Sequence, residues 1–173
     1  MNDKRSLKQC DKDADAAIDV MMYGIGALSL LPVALNWTLA ATAMGAGTVA
    51  IGRAYGMTLE KEDGAKLVMQ FIKSAGLMFL CLHVGAKIGA AIIQFTGVGY
   101  LHGVALDAVM SGTFAWAIGK TAKSYFRAEY KGEKLTNREL GEIFRQAFKE
   151  RKKEAVRKNE STEQIETKQE SEI

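Results

Sequence analysis

Few residues in this chain combine the type and the spacing that a chemical reaction requires. Gly119-Lys120-Thr121 is similar to the end of a phosphate-binding loop, but such a loop needs a glycine five residues before Gly119, and Phe114 stands there. Cys81, His83 and His102 have the types of metal ligands, but no carboxylates accompany them at ligand spacing. No serine lies in a nucleophile-elbow sequence. We therefore predict that the chain is not an enzyme and has no catalytic residue, cofactor or metal ion.

The charges are unevenly distributed along the 173 residues. The formal net charge is +3, and only nine charged residues lie between positions 20 and 119. That central part has no basic stripe with interleaved aromatic residues, so we expect no nucleic-acid partner. Cys10 and Cys81 are too few for a disulfide framework and suit a reducing compartment. The first residues lack the hydrophobic stretch of a cleaved secretory signal.

Apolar residues recur at helical spacing, and no useful stretch alternates with a period of two, which predicts an all-α protein. We interpret residues 1–13 as a polar tail, 14–158 as a helical domain, and 159–173, rich in Glu, Gln, Ser and Thr, as a disordered tail. Pro32 predicts a bend at Leu31–Trp37, and the glycines near position 98 predict another at Gln94–Tyr100.

The helical domain contains an apparent internal duplication, with units of about 14–73 and 74–158. The segment 44–53 recurs, with one residue inserted, as 110–120, so that the apolar stretches end on Gly-Arg and Gly-Lys. The charged amphipathic segments that follow align without a gap: Leu59, Asp63, Leu67, Gln70 and Lys73 fall opposite Leu135, Glu139, Ile143, Gln146 and Lys149. Each unit is predicted to be a helical hairpin followed by an amphipathic helix.

Both predicted bends lack charge, whereas basic residues collect at the open ends of the hairpins. The positive-inside rule then predicts that both termini lie in the cytoplasm and that both bends lie on the far side of a bacterial inner membrane. Trp37 and Tyr100 would then lie at the far membrane interface. A crossing needs roughly 17 to 25 apolar residues, and Val20–Leu31 is shorter, so the first hairpin is the weaker spanning element. The alternative is a cytoplasmic helical bundle.

Small residues and a basic face supply further candidate positions. Close helix contacts are predicted at Gly52, Gly56, Gly85, Gly89, Gly99, Gly103 and Gly119. The last helix carries a basic face with Arg145, Lys149, Lys152 and Lys153. This face either lies along anionic lipid headgroups or is a solvated face of a helix that docks on the bundle or on a partner protein.

Several motifs resemble one family. Leu31-Pro32, Ala54-Tyr55-Gly56, Thr113-x-Ala115-x-Ala117-Ile118-Gly119-Lys120 with Tyr125-Phe126, and the Leu-x3-Glu-Leu-x3-Phe pattern from Leu135 to Phe144 are similar to the YcjF-like family, catalogued as domain of unknown function 697. The EcsC family is similar in its Tyr-Gly hinge. The resemblance implies a bacterial membrane-associated protein whose relatives often carry, or are encoded beside, an Era-like GTPase domain. The sequence has no such domain, and Gly97 and Gly99 stand where the family pattern has a proline.

These patterns predict a non-enzymatic membrane-associated protein that serves as an anchor or effector for a partner, such as a separate Era-like GTPase. Membrane lipids are expected partners, and a homo-oligomer is an open alternative. Lys87 and Asp107 interrupt apolar stretches and are expected to pair with each other or to line a polar cavity, because an unpaired charge inside a bilayer is costly. Two other functions stay open: a small channel or membrane-permeabilising assembly with those two residues in its path, and a soluble helical scaffold.

Overall fold

The computed structural model describes residues 5–28, 33–76 and 100–170, with side chains for 5–28, 38–76, 107–155 and 157. These ranges contain five helices and no strand: α1 (Leu7–Ala27), α2 (Val33–Ala54), α3 (Lys61–Ala75), α4 (Tyr100–Lys131) and α5 (Asn137–Glu170). The all-α prediction is confirmed. The first leg of the predicted second hairpin and most of its bend, residues 77–99, lie outside the described residues.

The first helix begins at Leu7, inside the segment that the sequence analysis assigned to a polar tail. The Ser6 side chain caps this helix by accepting a hydrogen bond from the backbone N–H of Gln9 at 3.3 Å. The buried residues of α1 form one stripe at helical spacing: Cys10, Ala14, Ile18, Met21, Met22 and Ile25. The tail prediction is therefore wrong for residues 7–13, where the polar residues occupy the outer and flanking faces of a helix.

The second helix begins inside the predicted bend Leu31–Trp37. The α1 helix ends at Ala27 and α2 begins at Val33, directly after Pro32 in the sequence. Proline fits immediately before or within a first helical turn, where the missing N–H has no helical partner. Trp37 consequently lies within α2 rather than in the bend.

The fourth helix is the centre of the bundle. Residues 111–115 and 117–119 are all buried, and α1, α2, α3 and α5 pack against it. The α1 and α4 helices are antiparallel, since Gly26 lies near Ala108 and Ile18 lies near Gly119. The largest fully buried side chains include Phe71, Phe126 and Phe144, and burying each stabilises the fold by about 1.5–3 kcal/mol.

The connections α2–α3 and α4–α5 have the same local structure. Gly56 and Gly132 end the helices with φ of 80° and 79°, and each N–H donates to the carbonyl three residues earlier at 2.9 Å. In each case the following residue donates to the carbonyl five residues earlier, which is the Schellman pattern. The N-cap residues Glu60 and Thr136 then donate their backbone N–H to the carboxylates of Asp63 and Glu139. Corresponding positions differ by 76 in both motifs, in the register of the aligned amphipathic segments.

The duplication itself stays a prediction, because half of the second hairpin lies outside the described residues. One part of it needs correction. Gly52 lies close to the end of α2, but Gly119 lies inside α4, which continues to Lys131. The Gly119-Lys120 pair therefore does not end a helix. The glycine with a positive φ that ends α4 is Gly132, the next glycine in the sequence.

The last helix passes through the segment that the sequence analysis assigned to a disordered tail. Its backbone is helical to Glu170, while residues 171–173 and the side chains from 158 to 170 lie outside the description. Residues 159–173 offer few apolar side chains for packing, and an isolated polar helix is marginal in water. A disordered tail under solution conditions therefore remains a prediction.

No helix within the described residues has both the length and the apolar character that a membrane crossing requires. The spanning pair predicted for the first hairpin is thus not supported.

Candidate functional site

One end of the bundle holds a cluster of paired charges between α1 and α4, which we call the charged end: Asp11, Asp15, Tyr55, Lys120, Lys123 and Arg127. Asp15 accepts hydrogen bonds from Lys120 Nζ at 3.1 Å and from Lys123 Nζ at 2.7 Å. Burial raises the pKa of Asp15, but the hydrogen bonds and positive charges of the two lysines lower it by more, leaving it below the ordinary 3.8. The carboxylate therefore stays ionised and fixes α1 on α4.

A second contact at the charged end involves Tyr55 at the end of α2. Its hydroxyl donates to Asp11 Oδ1 at 2.6 Å, and Arg127 Nε lies 3.4 Å from the same oxygen. Burial and the Asp11 carboxylate raise the pKa of Tyr55 far above its ordinary value, so the phenol remains a donor. The Tyr130 hydroxyl donates to the Arg5 carbonyl oxygen at 2.8 Å. These contacts join α1, the end of α2 and α4. Asp11 lies in the segment 1–13, which was predicted to be a polar tail.

The second half of α1 and most of α2 present exposed side chains without any charge. No residue from Val20 to Gly52 is charged, yet Val20 is 74% exposed, Tyr23 68% and Leu39 44%. The exposed residues of this uncharged surface are Val20, Tyr23, Gly24 and Ala27 on α1 and Thr38, Leu39, Ala41, Thr42, Ala46 and Ala50 on α2. Scattered exposed apolar residues are ordinary, but a broad surface without charged side chains is typical of contact with lipid or protein.

The four basic residues predicted on the last helix do not form one free face. Arg145 is half-buried, and its Nη1 donates to the Ala75 carbonyl oxygen at 3.2 Å, which satisfies the end of α3. Lys149, Lys152 and Lys153 are exposed. Exposed glutamates lie on the same helix at 142, 150 and 154, so the outer side of α5 carries both signs of charge.

The α3 and α5 helices form a groove lined by Lys66, Met69, Gln70, Lys73, Ser74 and Asn137, with a volume of about 480 Å³. We call it the α3–α5 groove. Gln70 Nε2 donates to Asn137 Oδ1 at 3.1 Å and joins its two sides. Met69 is 52% exposed there. Gln70 and Lys73 were predicted to lie on an amphipathic helix, but this concave surface was not predicted, because it depends on how α3 meets α5.

The family follows from a comparison with family models. The model of the family described as Domain of unknown function (DUF697) matches residues 2–153. The chain belongs to this family. Comparison with the curated proteins and with the solved structures gives no match. The resemblance to the YcjF-like family is thereby confirmed, while the likeness to the EcsC family stays untested.

The DUF697 chain uses some of the predicted glycines at close helix contacts. A Cβ on Gly119 would meet Ile18 at 2.8 Å, and one on Gly52 would meet Phe126 at 2.9 Å. Gly56 instead forms the positive-φ cap of α2 and has open space around it, so its predicted role in helix packing is wrong. Gly103 lies in the backbone of α4, and Gly85, Gly89 and Gly99 lie outside the described residues. Contacts that the prediction missed involve Gly45 with Gly64, and Gly141 with Ser74.

The structure describes only some of the polar and aromatic residues that were predicted to be functional in the apolar stretches. Asp107 is 7% exposed within α4, and its Oδ1 accepts a hydrogen bond from the Ser111 hydroxyl at 3.3 Å. Lys87 lies outside the described residues, so the pairing with Asp107 and the polar path of a channel stay predictions. Trp37 belongs to α2 and Tyr100 to α4, but the structure describes only the backbone of these two residues.

The Gly119-Lys120-Thr121 motif lies within α4, where the side chains of Lys120 and Thr121 make structural contacts. Lys120 contacts Asp15, and the Thr121 hydroxyl donates to the Ala117 carbonyl oxygen at 2.8 Å. Both residues lie on a helix rather than in a loop that could surround a phosphate. His102 lies in the α4 backbone, and Cys81 and His83 are outside the description. Within the described residues no group of His, Cys, Asp and Glu has the arrangement of a metal site.

Proposed function

We propose that this DUF697 chain is a non-enzymatic helical module that lies peripherally on a membrane and serves there as an anchor or effector for a partner protein. The observation that carries the proposal is the uncharged surface of α1 and α2, where Val20 and Tyr23 are largely exposed. In contact with lipid, these side chains leave water, while the nearest charged residue in the sequence, the exposed Asp19, stays hydrated at the start of this surface.

The distribution of charge supports one orientation. The charged end, with Asp15, Lys120 and Lys123, lies at the other part of α1, so that end faces water when the uncharged surface faces lipid. Tyr23 suits the boundary because its ring is apolar and its hydroxyl can remain hydrated. A peripheral position also agrees with the finding that none of the described helices combines the length and the apolar character that a membrane crossing requires.

Flotation with vesicles of neutral phosphatidylcholine tests the proposal. The wild type should float with the vesicles at both low and high salt, because an apolar contact is not screened. Combining Val20→Glu with Tyr23→Glu should weaken binding by at least about tenfold, since removing one such apolar contact costs about 1.5–3 kcal/mol and 1.4 kcal/mol is a factor of ten.

Met69→Glu is the matched control, because Met69 is an exposed apolar residue of α3 that lines the α3–α5 groove and is not part of the uncharged surface of α1 and α2. This variant should float like the wild type. A wild type that stays with the soluble fraction at every lipid concentration contradicts membrane attachment and favours the soluble scaffold. The family resemblance suggests an Era-like GTPase as partner, and such a GTPase should float only when the wild-type chain is present.

A further inference from the structure

The lining of the α3–α5 groove combines one apolar side chain, Met69, with two lysines. Met69 lies in the groove with about half of its surface exposed, and Lys66 and Lys73 from α3 line it. Both lysines are exposed. Lys66 contacts Asp63 at 3.8 Å across one helical turn, an exposed pair that contributes little. A segment that fits this groove would be acidic and would carry an apolar side chain to cover Met69.

The last fifteen residues of the sequence have this composition. Residues 159–173 include five glutamates and one lysine, a formal charge of −4, and Ile165 lies between Glu163 and Glu166. The same segment has little to gain from packing on its own bundle. Its charge is opposite to that of the groove, which favours encounter and orientation.

We propose that the α3–α5 groove binds the acidic C-terminal segment, residues 159–173, of a second copy of the chain. The groove's own tail is held away from it. Asn137, at the groove, is the first residue of α5, and the helix continues without a break to Glu170. From position 137 to position 157 a helix extends about 30 Å at 1.5 Å per residue. Six extended residues from Arg157 to Glu163 cover only about 20 Å, so Glu163 cannot return to the groove of its own chain even when the tail beyond Arg157 is not helical.

The geometry determines the kind of assembly. A tail that enters the groove of the next copy makes a head-to-tail contact, in which the two surfaces differ. Each added copy offers another free groove and another free tail. The average mass should therefore rise continuously with protein concentration instead of stopping at a dimer, unless the arrangement closes into a ring.

Light scattering of the full-length chain without lipid, over the micromolar range and at two salt concentrations, tests this proposal separately from membrane binding. The wild type should associate more at low salt. Lys66→Glu combined with Lys73→Glu should weaken association by about tenfold, and so should Glu163→Gln combined with Glu166→Gln, because each pair of substitutions removes the exposed ion pairs that join the groove to the tail. Lys131→Glu with Lys134→Glu makes the same charge change at the exposed α4–α5 connection and should leave association unchanged.

A charge exchange distinguishes direct pairing from a general effect of net charge. Lys66→Glu and Lys73→Glu, combined in one chain with Glu163→Lys and Glu166→Lys, should restore association. Circular dichroism verifies that every variant keeps its helix content. A wild type that is monomeric throughout overturns the proposal, and so does a folded charge-exchange variant that stays monomeric or a groove variant that associates like the wild type.

Discussion

At the scale of single residues, Asp15 shows how a small polar cluster orients a helix. Its two oxygens contact Lys120 and Lys123 on the central helix, at 3.1 and 2.7 Å. The Lys123 side chain is only 17% exposed, so removing the carboxylate would leave a largely desolvated ammonium without this acceptor. Such a loss costs more than the small stabilisation that a pair on the open surface provides.

Asp15→Asn should destabilise the fold by about 1 kcal/mol near neutral pH, because the charge-assisted contacts to both lysines are weakened. The pKa of Asp15 is lower in the folded state than its ordinary 3.8. The carboxylate therefore contributes stability above that value, and the contribution is lost as the pH falls through the lower folded pKa. Urea unfolding at neutral pH and at a pH well below 3.8 measures the difference between the two proteins, which should shrink in acid.

Asp19→Asn is the control, because Asp19 is exposed on the same helix. It should change stability little at either pH. An Asp15→Asn protein that loses as much stability in acid as at neutral pH would show that the residue acts through side-chain shape and not through its charge.

At the scale of helices, the contacts depend on glycines that bring two backbones together. A Cβ on Gly64 of α3 would collide with the carbonyl oxygen of Gly45 in α2 and with Val49. Small residues four positions apart, such as Gly52 and Gly56, predict close helix contacts, but Gly64 stands in an amphipathic segment and has no small residue four positions away. Spacing within one helix cannot identify the residue on the neighbouring helix, so Gly64 could be found only from the packing of α2 on α3.

Gly64→Ala should therefore destabilise the fold by about 1–3 kcal/mol, because the backbones must move apart to accept the methyl group. Gly24→Ala is a matched substitution in α1, where an added Cβ has nothing within 4 Å. It should stabilise the fold by about 0.5–1 kcal/mol through helix propensity alone. Thermal unfolding of both variants measures the two effects, and a Gly64→Ala protein as stable as Gly24→Ala would contradict the close contact.

At the scale of the whole molecule, the partition of charge along the sequence becomes a partition in space. The sequence was sufficient to predict the all-α class, the family and the approximate ends of α2 and α3, because hydrophobic periodicity and Pro32 mark them locally. It was not sufficient to predict that Asp15 faces Lys123 or that α3 and α5 form a groove, since these depend on how helices distant in sequence meet. The uncharged stretch from Val20 to Gly52 was visible, but its exposed face became known only from the packing.

Hydrogen exchange should follow this architecture from the centre outward. Amides of α4 between Ser111 and Ala122 should exchange most slowly, because this part of the central helix is almost entirely buried. Amides of α5 beyond Arg157 should exchange fastest among the helices in dilute protein, because the polar residues there gain little from tertiary packing. Mass spectrometry of peptides from a time course measures the order, with the N-terminal half of α5, which packs on α3 and α4, as the internal reference. Protection beyond Arg157 equal to that of this reference would contradict the predicted tail and place those last turns in a stable contact.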